Sequence, residues 1–171
     1  DPVAEQLLDV RVVHVGGVLD QDAADRVCAR LRLLAARDPR AEITLTVSCA
    51  AGSAVAGLAV VDTMELIAPD VATCAVGVAA GVGQLLVTAG APGRRTAAPH
   101  ARLVLRTPSA GAVGATVFGE QKREVLAGTA ARSGQPVDRV AADTVAERWL
   151  TADEAVAYGL VDRVAAPRSE P

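Results

Sequence analysis

The sequence predicts one α/β domain of stacked βαβ units with a mostly parallel sheet and right-handed crossovers. Strand-like and helix-like segments alternate from residue 10 to residue 91. The 171 residues suffice for one hydrophobic core, which we place within about 6–165, with a C-terminal tail at 166–171. Apolar residues make up 51% of the chain and aromatic residues only 2%. The core is therefore expected to consist of closely packed Ala, Val and Leu.

The elements of the first half follow from hydrophobic periodicity. β-rich runs predict strands, whereas apolar residues at helical spacing, such as Val27, Leu31 and Leu34, predict helices. The predicted elements, in order, are a strand at 10–17, a helix at 19–38, a strand at 43–48, a helix at 50–67 that begins in a glycine turn with Ser53 as N-cap, a strand at 71–79 and a short helix at 80–91.

The second half is punctuated by caps and glycines. Thr151 and Glu154 form a capping-box pattern, and Gly134 and Gly159 are placed to end helices. The predicted elements are short strands at 94–98 and 101–106, a Gly- and Ala-rich segment without assigned structure at 107–119, helices at 120–134, 136–144 and 151–159, and an edge strand at 161–166.

Charge and composition exclude several classes of function. Lys plus Arg is 17 and Asp plus Glu is 20, so a net charge of −3 argues against nucleic-acid binding. Cys28, Cys49 and Cys74 have no metal-type spacing and are typical of reduced core thiols in a cytoplasmic protein. No apolar run reaches membrane-spanning length. We therefore expect no metal, no cofactor, no membrane partner and a cytoplasmic location.

Four segments together resemble one family. They are VRVVHVGGVLD (10–20), SCAAGSAVAGLAVVDTMELI (48–67), PDVATCAVGVAAGVGQLLVTAGAPGRR (69–95) and TADEAVAYGLVDRV (151–164). The chain resembles the proteolytic subunit of the Clp protease, ClpP, from about residue 6 to residue 164. The resemblance implies a ClpP/crotonase-type fold, serine endopeptidase chemistry, ring assembly and partnership with a ring-shaped unfolding ATPase.

The resemblance also assigns the catalytic positions, and the residues there differ from the family pattern. Gly81 in GVAAG stands where the family has its nucleophilic serine, Arg106 where it has the histidine base, and Glu147 where it has the orienting aspartate. Glycine has no side-chain atom to attack a carbonyl, and arginine stays protonated and cannot accept a proton. Serine hydrolysis requires both a nucleophile and a base. No catalytic residue is therefore expected at these three positions.

The oxyanion region keeps its backbone but loses its usual turn. The resemblance assigns the amides of Gly52 and Val82 to it, and Ala50 and Ala51 replace the family's proline and first glycine. Backbone donors do not depend on side chains, so an oxyanion pocket can persist. Ala50 does not fix φ as proline does, which leaves the geometry of the turn open.

Other side chains are candidates to substitute for the missing groups. The two histidines, His14 and His100, are interpreted as structural, and Ser53 as a helix cap. A pair formed by Cys49 and His100 is conceivable, but no spacing supports it. The remaining hydroxyls near the site lie in no recognisable nucleophile turn; they are Thr88, Thr107 and Ser109.

Arg106 and Glu147 replace a His–Asp pair, so we predict that their side chains meet as an ion pair. A guanidinium and a carboxylate can pair in bidentate geometry. The alternative is that both charges point separately into a solvated groove. If the pair is buried, deleting one partner costs roughly 3–5 kcal/mol. If it is exposed, the cost is about 0–1 kcal/mol.

Two further departures bear on partners. The span from Arg106 to Gln135 is shorter than the family pattern by roughly two helical turns, which puts ring stacking in doubt. The positions that line the family's ATPase-docking pockets hold Thr44, Thr46 and Leu66 instead of aromatic residues. Docking of a Clp-type ATPase is therefore doubtful. A homo-oligomer, or a hetero-oligomer with an active ClpP homologue, remains expected.

Three functions are compatible with these features. The favoured one is a catalytically inactive ClpP-like subunit with a structural or regulatory role in a Clp-type assembly. The second is a divergent active peptidase with an unrecognised nucleophile. The third is a crotonase-type protein that handles acyl thioesters, since that family shares the fold and uses paired backbone donors near a Gly-rich turn.

Overall fold

A computed structural model describes residues 2–166 as seven helices and eight strands. Asp1 and residues 167–171, which include most of the predicted tail, lie outside the described part. The elements in chain order are α1 Pro2–Asp9, β1 Val12–Leu19, α2 Gln21–Arg37, β2 Ile43–Gly52, α3 Ala54–Leu66, β3 Val71–Ala75, β4 Val78–Ala80, α4 Val82–Thr88, β5 Arg95–Ala97, β6 Arg102–Val104, α5 Ala115–Ser133, α6 Val137–Val145, β7 Trp149–Thr151, α7 Ala152–Tyr158 and β8 Arg163–Val164.

The strands form two sheets. The larger has the order β1-β2-β3-β5-β8, and all its neighbours pair in parallel. The smaller has the order β4-β6-β7, with β4 and β6 parallel and β7 antiparallel at the edge. Parallel pairing of strands that are separated by helices requires crossovers. The predicted α/β fold of βαβ units is thereby confirmed.

The core is built from small aliphatic residues, as the composition predicts. The buried apolar residues of the described part form one contiguous cluster dominated by Ala, Val and Leu. The predicted inward face of α2 is buried, including Val27, Leu31 and Leu34. Cys28 and Cys49 are fully part of this core, and all three cysteines are free thiols.

The predicted strand at 71–79 is wrong in one respect, because it is two strands in two sheets. The chain breaks at Gly77, which has a φ of 68°. A Cβ at Gly77 would lie 3.1 Å from Ser48 Oγ, so glycine allows both the positive φ and the close approach to β2. Because of this break, β4 belongs to the smaller sheet, and it ends at Ala80, directly before Gly81.

Other boundaries differ from expectation, and two elements were not predicted. The first strand begins at Val12, because Val10 and Arg11 form the turn after the unpredicted helix α1. β2 continues as a strand through Gly52, where a turn was predicted. α5 begins at Ala115 within the segment left unassigned, and β7 was not predicted. Short edge strands such as β7 carry too few residues for a periodic signal.

The predicted caps are confirmed. Ser53 accepts a hydrogen bond from the amide of Ala56 at the start of α3. Thr151 and Glu154 form a complete capping box at the start of α7. Gly134 and Gly159 end α5 and α7 with φ of 74° and 93°, the left-handed conformation that glycine adopts most readily.

A partly buried ion pair links β5 to the residue that precedes β8. Arg95 is 9% exposed and its Nη2 lies 2.8 Å from Asp162 Oδ1. The same guanidinium donates to the carbonyls of Thr88 and Arg132 at the ends of α4 and α5. The hydrogen bond from Arg95 is the main reason that the pKa of Asp162 lies below its usual range. The pair therefore ties β5, two helices and the start of β8 together.

Candidate functional site

The structure brings the three catalytic positions of the resemblance to one place. β4 and β6 run parallel, so their C-terminal ends meet at one edge. Gly81 follows β4 and donates its amide to Val104 at 3.0 Å, while Arg106 follows β6. Glu147 lies in the turn between α6 and β7, and β7 pairs with β6. Sequence spacing alone does not predict this meeting of three distant segments.

Gly81 occupies a sharp strand-to-helix turn. Its φ is 57° and its ψ is −113°, and it is the N-cap residue of α4 without a side chain to cap it. A side chain in such a conformation is strained by about 1–3 kcal/mol, a strain that active sites commonly hold. In hydrolases this kind of turn exposes a nucleophile. In this chain the turn is present, and glycine adopts it without strain because it has no Cβ.

Arg106 and Glu147 form the predicted ion pair. Arg106 Nε lies 3.4 Å from Glu147 Oε1, with side chains 33% and 58% exposed. At this exposure the pair belongs to the weak class that contributes about 0–1 kcal/mol. The alternative, in which the two charges point separately into a solvated groove, is therefore wrong about their distance. It is right that both side chains are in contact with solvent. Arg106 Nη1 also donates to the carbonyl of Ala50 at 3.3 Å, so the guanidinium reaches across to the end of β2.

A cluster around Asp143 fixes the turn that carries Glu147, and sequence analysis missed it. Tyr158 Oη donates to Asp143 Oδ2 at 2.8 Å, and Arg148 Nη1 lies 3.3 Å from the same oxygen. The guanidinium carbons of Arg139 and Arg148 lie 5.0 and 5.5 Å from the centroid of the Tyr158 ring. Burial, with help from Asp143, raises the pKa of Tyr158 to about 12. The sequence feature that could have indicated this cluster is the chain's single tyrosine, which lies near charged residues of both signs.

A cleft of about 640 Å³ opens beside Gly81. Its walls are the end of β2 at 50–53, the Gly81–Val82 turn, the segment 106–113 and residues 18–21. Most of these residues are small or apolar. Arg106 and Asp20 are the charged residues among them, and the Asp20 carboxylate accepts the amide of Ala23 as the N-cap of α2.

The two residues that the resemblance assigns to an oxyanion region, Gly52 and Val82, both line the cleft. Ser53 donates its amide to the carbonyl of Leu19 on β1. Parallel pairing uses alternate residues, so the amide and carbonyl of Gly52 face the other way, toward the segment at 107–113. The Gly52 carbonyl accepts the amide of Ser109 at 2.9 Å. Val82 is the first residue of α4, and its side chain packs against Gly52 so closely that a Cβ at Gly52 would collide with it.

The candidate substitute hydroxyls have structural partners or lie apart from a base. Ser53 caps α3, and Ser109 Oγ donates to the carbonyl of Gly52 at 3.2 Å. Thr88 Oγ1 accepts from Gln84 in the buried interior, and Thr107 is exposed at the cleft. A serine that serves as a cap or backbone donor lacks the adjacent general base that activates a nucleophile.

The histidines do not reach these hydroxyls. His14 is exposed on β1, and its Nδ1 lies 2.9 Å from Thr46 Oγ1 on the neighbouring strand. His100 lies in the turn that precedes β6, at the end of that strand opposite Arg106. Both therefore occupy surface positions of the described structure, which agrees with the structural interpretation made from the sequence.

Cys49 is also poorly placed for chemistry. It is fully buried, and its Sγ donates to the carbonyl of Ala51 at 3.2 Å. Burial raises the pKa of the Cys49 thiol. The thiolate is the reactive form, so burial of this kind makes a cysteine inert.

Comparison with known proteins identifies the family. A family model described as Clp protease matches residues 1–168. The chain is 42% identical to the ATP-dependent Clp protease proteolytic subunit 2 of Rhodococcus jostii, across 96% of this chain and 88% of that protein. The chain belongs to the Clp protease family. It is also 45% identical to proteolytic subunit 3 of Streptomyces coelicolor and 40% identical to proteolytic subunit 1 of Mycobacterium tuberculosis, across 96% of this chain and 79% and 86% of those proteins.

Membership of the Clp protease family confirms the resemblance and the ClpP/crotonase-type fold. The relatives are named as proteolytic subunits of an ATP-dependent protease. Among residues 2–166, no helix has the length and apolar character needed to cross a membrane. The same part of the chain holds no group of three or more His, Cys, Asp or Glu residues arranged to bind a metal ion.

Proposed function

We propose that this chain is a catalytically inactive member of the Clp protease family with a structural or regulatory role in a Clp-type assembly. One observation carries the proposal. Gly81 and Arg106 lie at the ends of adjacent parallel strands, at the positions that the resemblance assigns to nucleophile and base. The first has no reactive side-chain atom, and the second is always protonated. The strand-to-helix turn at Gly81 is present, whereas the side chains at positions 81 and 106 supply neither a nucleophilic atom nor a proton acceptor.

The alternative residues support the same proposal. Of the hydroxyls near the cleft, Ser53 and Ser109 serve as a helix cap and a backbone donor, and the Cys49 thiol is buried. A divergent peptidase would need a nucleophile and a base in contact, which the described residues do not provide at this cleft. The hypothesis of a crotonase-type protein that handles acyl thioesters loses its support, because the chain belongs to the Clp protease family.

Peptide cleavage by the purified chain tests the proposal directly. We expect no turnover of fluorogenic peptides above buffer and no labelling by a fluorophosphonate. The matched variant carries Gly81→Ser, Arg106→His and Glu147→Asp together, and turnover gained by this variant alone would support the proposal further. Turnover by the natural chain that scales with its concentration, and that one Ser or Cys substitution abolishes, would refute it.

The proposed role depends on assembly with copies of this chain or with an active homologue. The site loop at 107–114 and the exposed Val145 and Trp149 leave apolar surface near the smaller sheet. ATPase docking stays doubtful, because Thr44 and Thr46 are small and only Leu66, 82% exposed, offers a large apolar side chain among the three positions. A cytoplasmic location remains a prediction.

Native mass spectrometry tests the assembly part. The chain is measured alone and then mixed with a proteolytic homologue from the same organism. We expect an oligomer in at least one of the two samples. A monomer in both, across micromolar concentrations, would contradict a structural role in a Clp-type assembly while leaving the inactivity of the site intact.

A further inference from the structure

A second, smaller cavity of about 120 Å³ adjoins the cleft and shares Arg106, Thr107 and Pro108 with it. It lies between α4, α5 and α6 and is lined by the aliphatic Val125, Leu126, Val140 and Ala141, with the polar Gln84, Thr129 and Thr144 beside them and the exposed Val145 at its edge. The cavity is several times smaller than pockets for drug-sized ligands, which have about 300–1,000 Å³. That space fits a single aliphatic side chain rather than a larger organic ligand.

The rim of the small cavity is cationic. Arg106 and Lys122 are its charged lining residues, and no acidic residue lines it. Lys122 is the only lysine of the chain, and its Nζ lies 5.9 Å from the centroid of the Phe118 ring on the same helix. An aliphatic pocket with a positive rim is complementary to an apolar group that carries an adjacent anion.

Among residues 2–166, several hydrogen-bond donors next to this rim have no protein acceptor. Of the five N–H groups of the Arg106 guanidinium, the structure engages Nε with Glu147 and one N–H of Nη1 with Ala50. Gly52 lines the cleft two residues beyond Ala50, and its amide faces away from β1, because the neighbouring Ser53 amide is the one that donates to β1. Two residues of strand span about 7 Å. A carboxylate that accepts a bond of about 2.9 Å on each side bridges such a distance.

We propose that the cleft binds the carboxyl-terminal end of a polypeptide. Arg106 and the Gly52 amide hold the terminal carboxylate, and the last, aliphatic side chain fills the small cavity. This inference rests on the proposed function, because a groove that cleaved its ligand would not retain it.

The pairing of the segment after Arg106 favours a chain end over an internal stretch. Ser109 donates its amide to Gly52, and Ala54 donates its amide to Ser109 at 3.0 Å, so these two segments form a direct parallel bridge. The backbone groups that an extended peptide would need beyond Gly52 are therefore already occupied. A ligand that stops at the carboxylate requires none of them.

Calorimetric titration with a matched pair of peptides tests the inference. The probes are acetyl-Ala-Ala-Leu as the free acid and as its amide, at neutral pH and low salt. A charge-assisted hydrogen bond is worth enough to make the acid bind about 10-fold more tightly than the amide. The variant Arg106→Gln should abolish this difference. Arg102→Gln, at the start of β6 and lining neither cavity, should leave it unchanged.

A variant that should raise the affinity, where Arg106→Gln lowers it, separates ligand binding by Arg106 from a merely structural role. Glu147→Gln removes the carboxylate that competes for Arg106, so we expect it to tighten binding of the acid by about threefold. The Arg106–Glu147 contact is exposed, so both variants should fold, and circular dichroism checks this. Hexanoate is titrated in parallel, and we expect it to bind at least 10-fold more weakly than the peptide acid.

Equal affinity for acid and amide, or full affinity in Arg106→Gln, would overturn the inference. Hexanoate binding as tightly as the peptide would overturn its polypeptide part. Mass spectrometry of the same mixtures separates the two proposals. A cleaved peptide contradicts the proposed inactivity, whereas an intact peptide that does not bind contradicts only the carboxylate site.

Discussion

Replacing Gly81 with serine should destabilise the protein even though the family places its serine there. With φ at 57° and ψ at −113°, any residue with a Cβ is strained at this turn. The new Cβ would also lie 3.3 Å from the carbonyl oxygen of Arg106, closer than ordinary van der Waals contact. Such strain costs about 1–3 kcal/mol. For a domain of this size each kcal/mol lowers Tm by about 2–4 °C, so we expect a loss of roughly 2–12 °C.

Thermal unfolding followed by circular dichroism measures the effect. Gly81→Ala should cost as much as Gly81→Ser, because the strain arises in the backbone and not from the hydroxyl. Gly119→Ala is the matched control, since Gly119 lies within α5 with open space around a built Cβ. It should gain about 0.5–1 kcal/mol from helix propensity. If Gly81→Ser leaves Tm unchanged, or if serine destabilises and alanine does not, the argument from backbone strain is refuted.

The remaining predictions concern stability against pH and thiol reactivity. Asp162→Asn should lower the free energy of unfolding by about 3 kcal/mol at pH 7, because it leaves the Arg95 charge buried without its partner; Glu42→Gln, in the exposed pair that involves Arg94, should cost under about 1 kcal/mol. The pKa of Asp162 is lowered on folding, so its stabilisation is fully present above the unfolded value of about 4 and is lost as pH falls through the folded value. Urea titrations at pH 7 and pH 3 should show the Asp162→Asn difference shrinking at the lower pH, and a constant difference would contradict the pairing. Cys74 is partly exposed and should react with a thiol reagent in the folded state, whereas Cys49, whose thiol pKa is raised by burial, should react only after unfolding. Mass spectrometry of the alkylated protein locates the label, and a folded chain labelled first at Cys49 would contradict this prediction.

Six of the seven described helices and the caps could be predicted because their signals are local, whereas α1 was not predicted. Ser53 and the Thr151–Glu154 box bind backbone groups within one turn of their own position, so their roles follow from a few neighbouring residues. The buried stripe of α2 follows from spacing in the same way. By contrast, β7 has three residues and is a strand only because β6 lies beside it. A partner so distant in sequence leaves no periodic pattern at 149–151.

The sequence alone determined which chemistry is missing. A glycine lacks a side-chain nucleophile and an arginine lacks a free lone pair whatever surrounds them, so the identities of residues 81 and 106 decide this point. The tertiary structure decided how the replacements behave. Only the shared edge of β4, β6 and β7 brings Arg106 and Glu147 into contact, and only their exposure makes the pair weak. Residue chemistry is intrinsic to the side chain, whereas distance and solvent access depend on how remote segments pack.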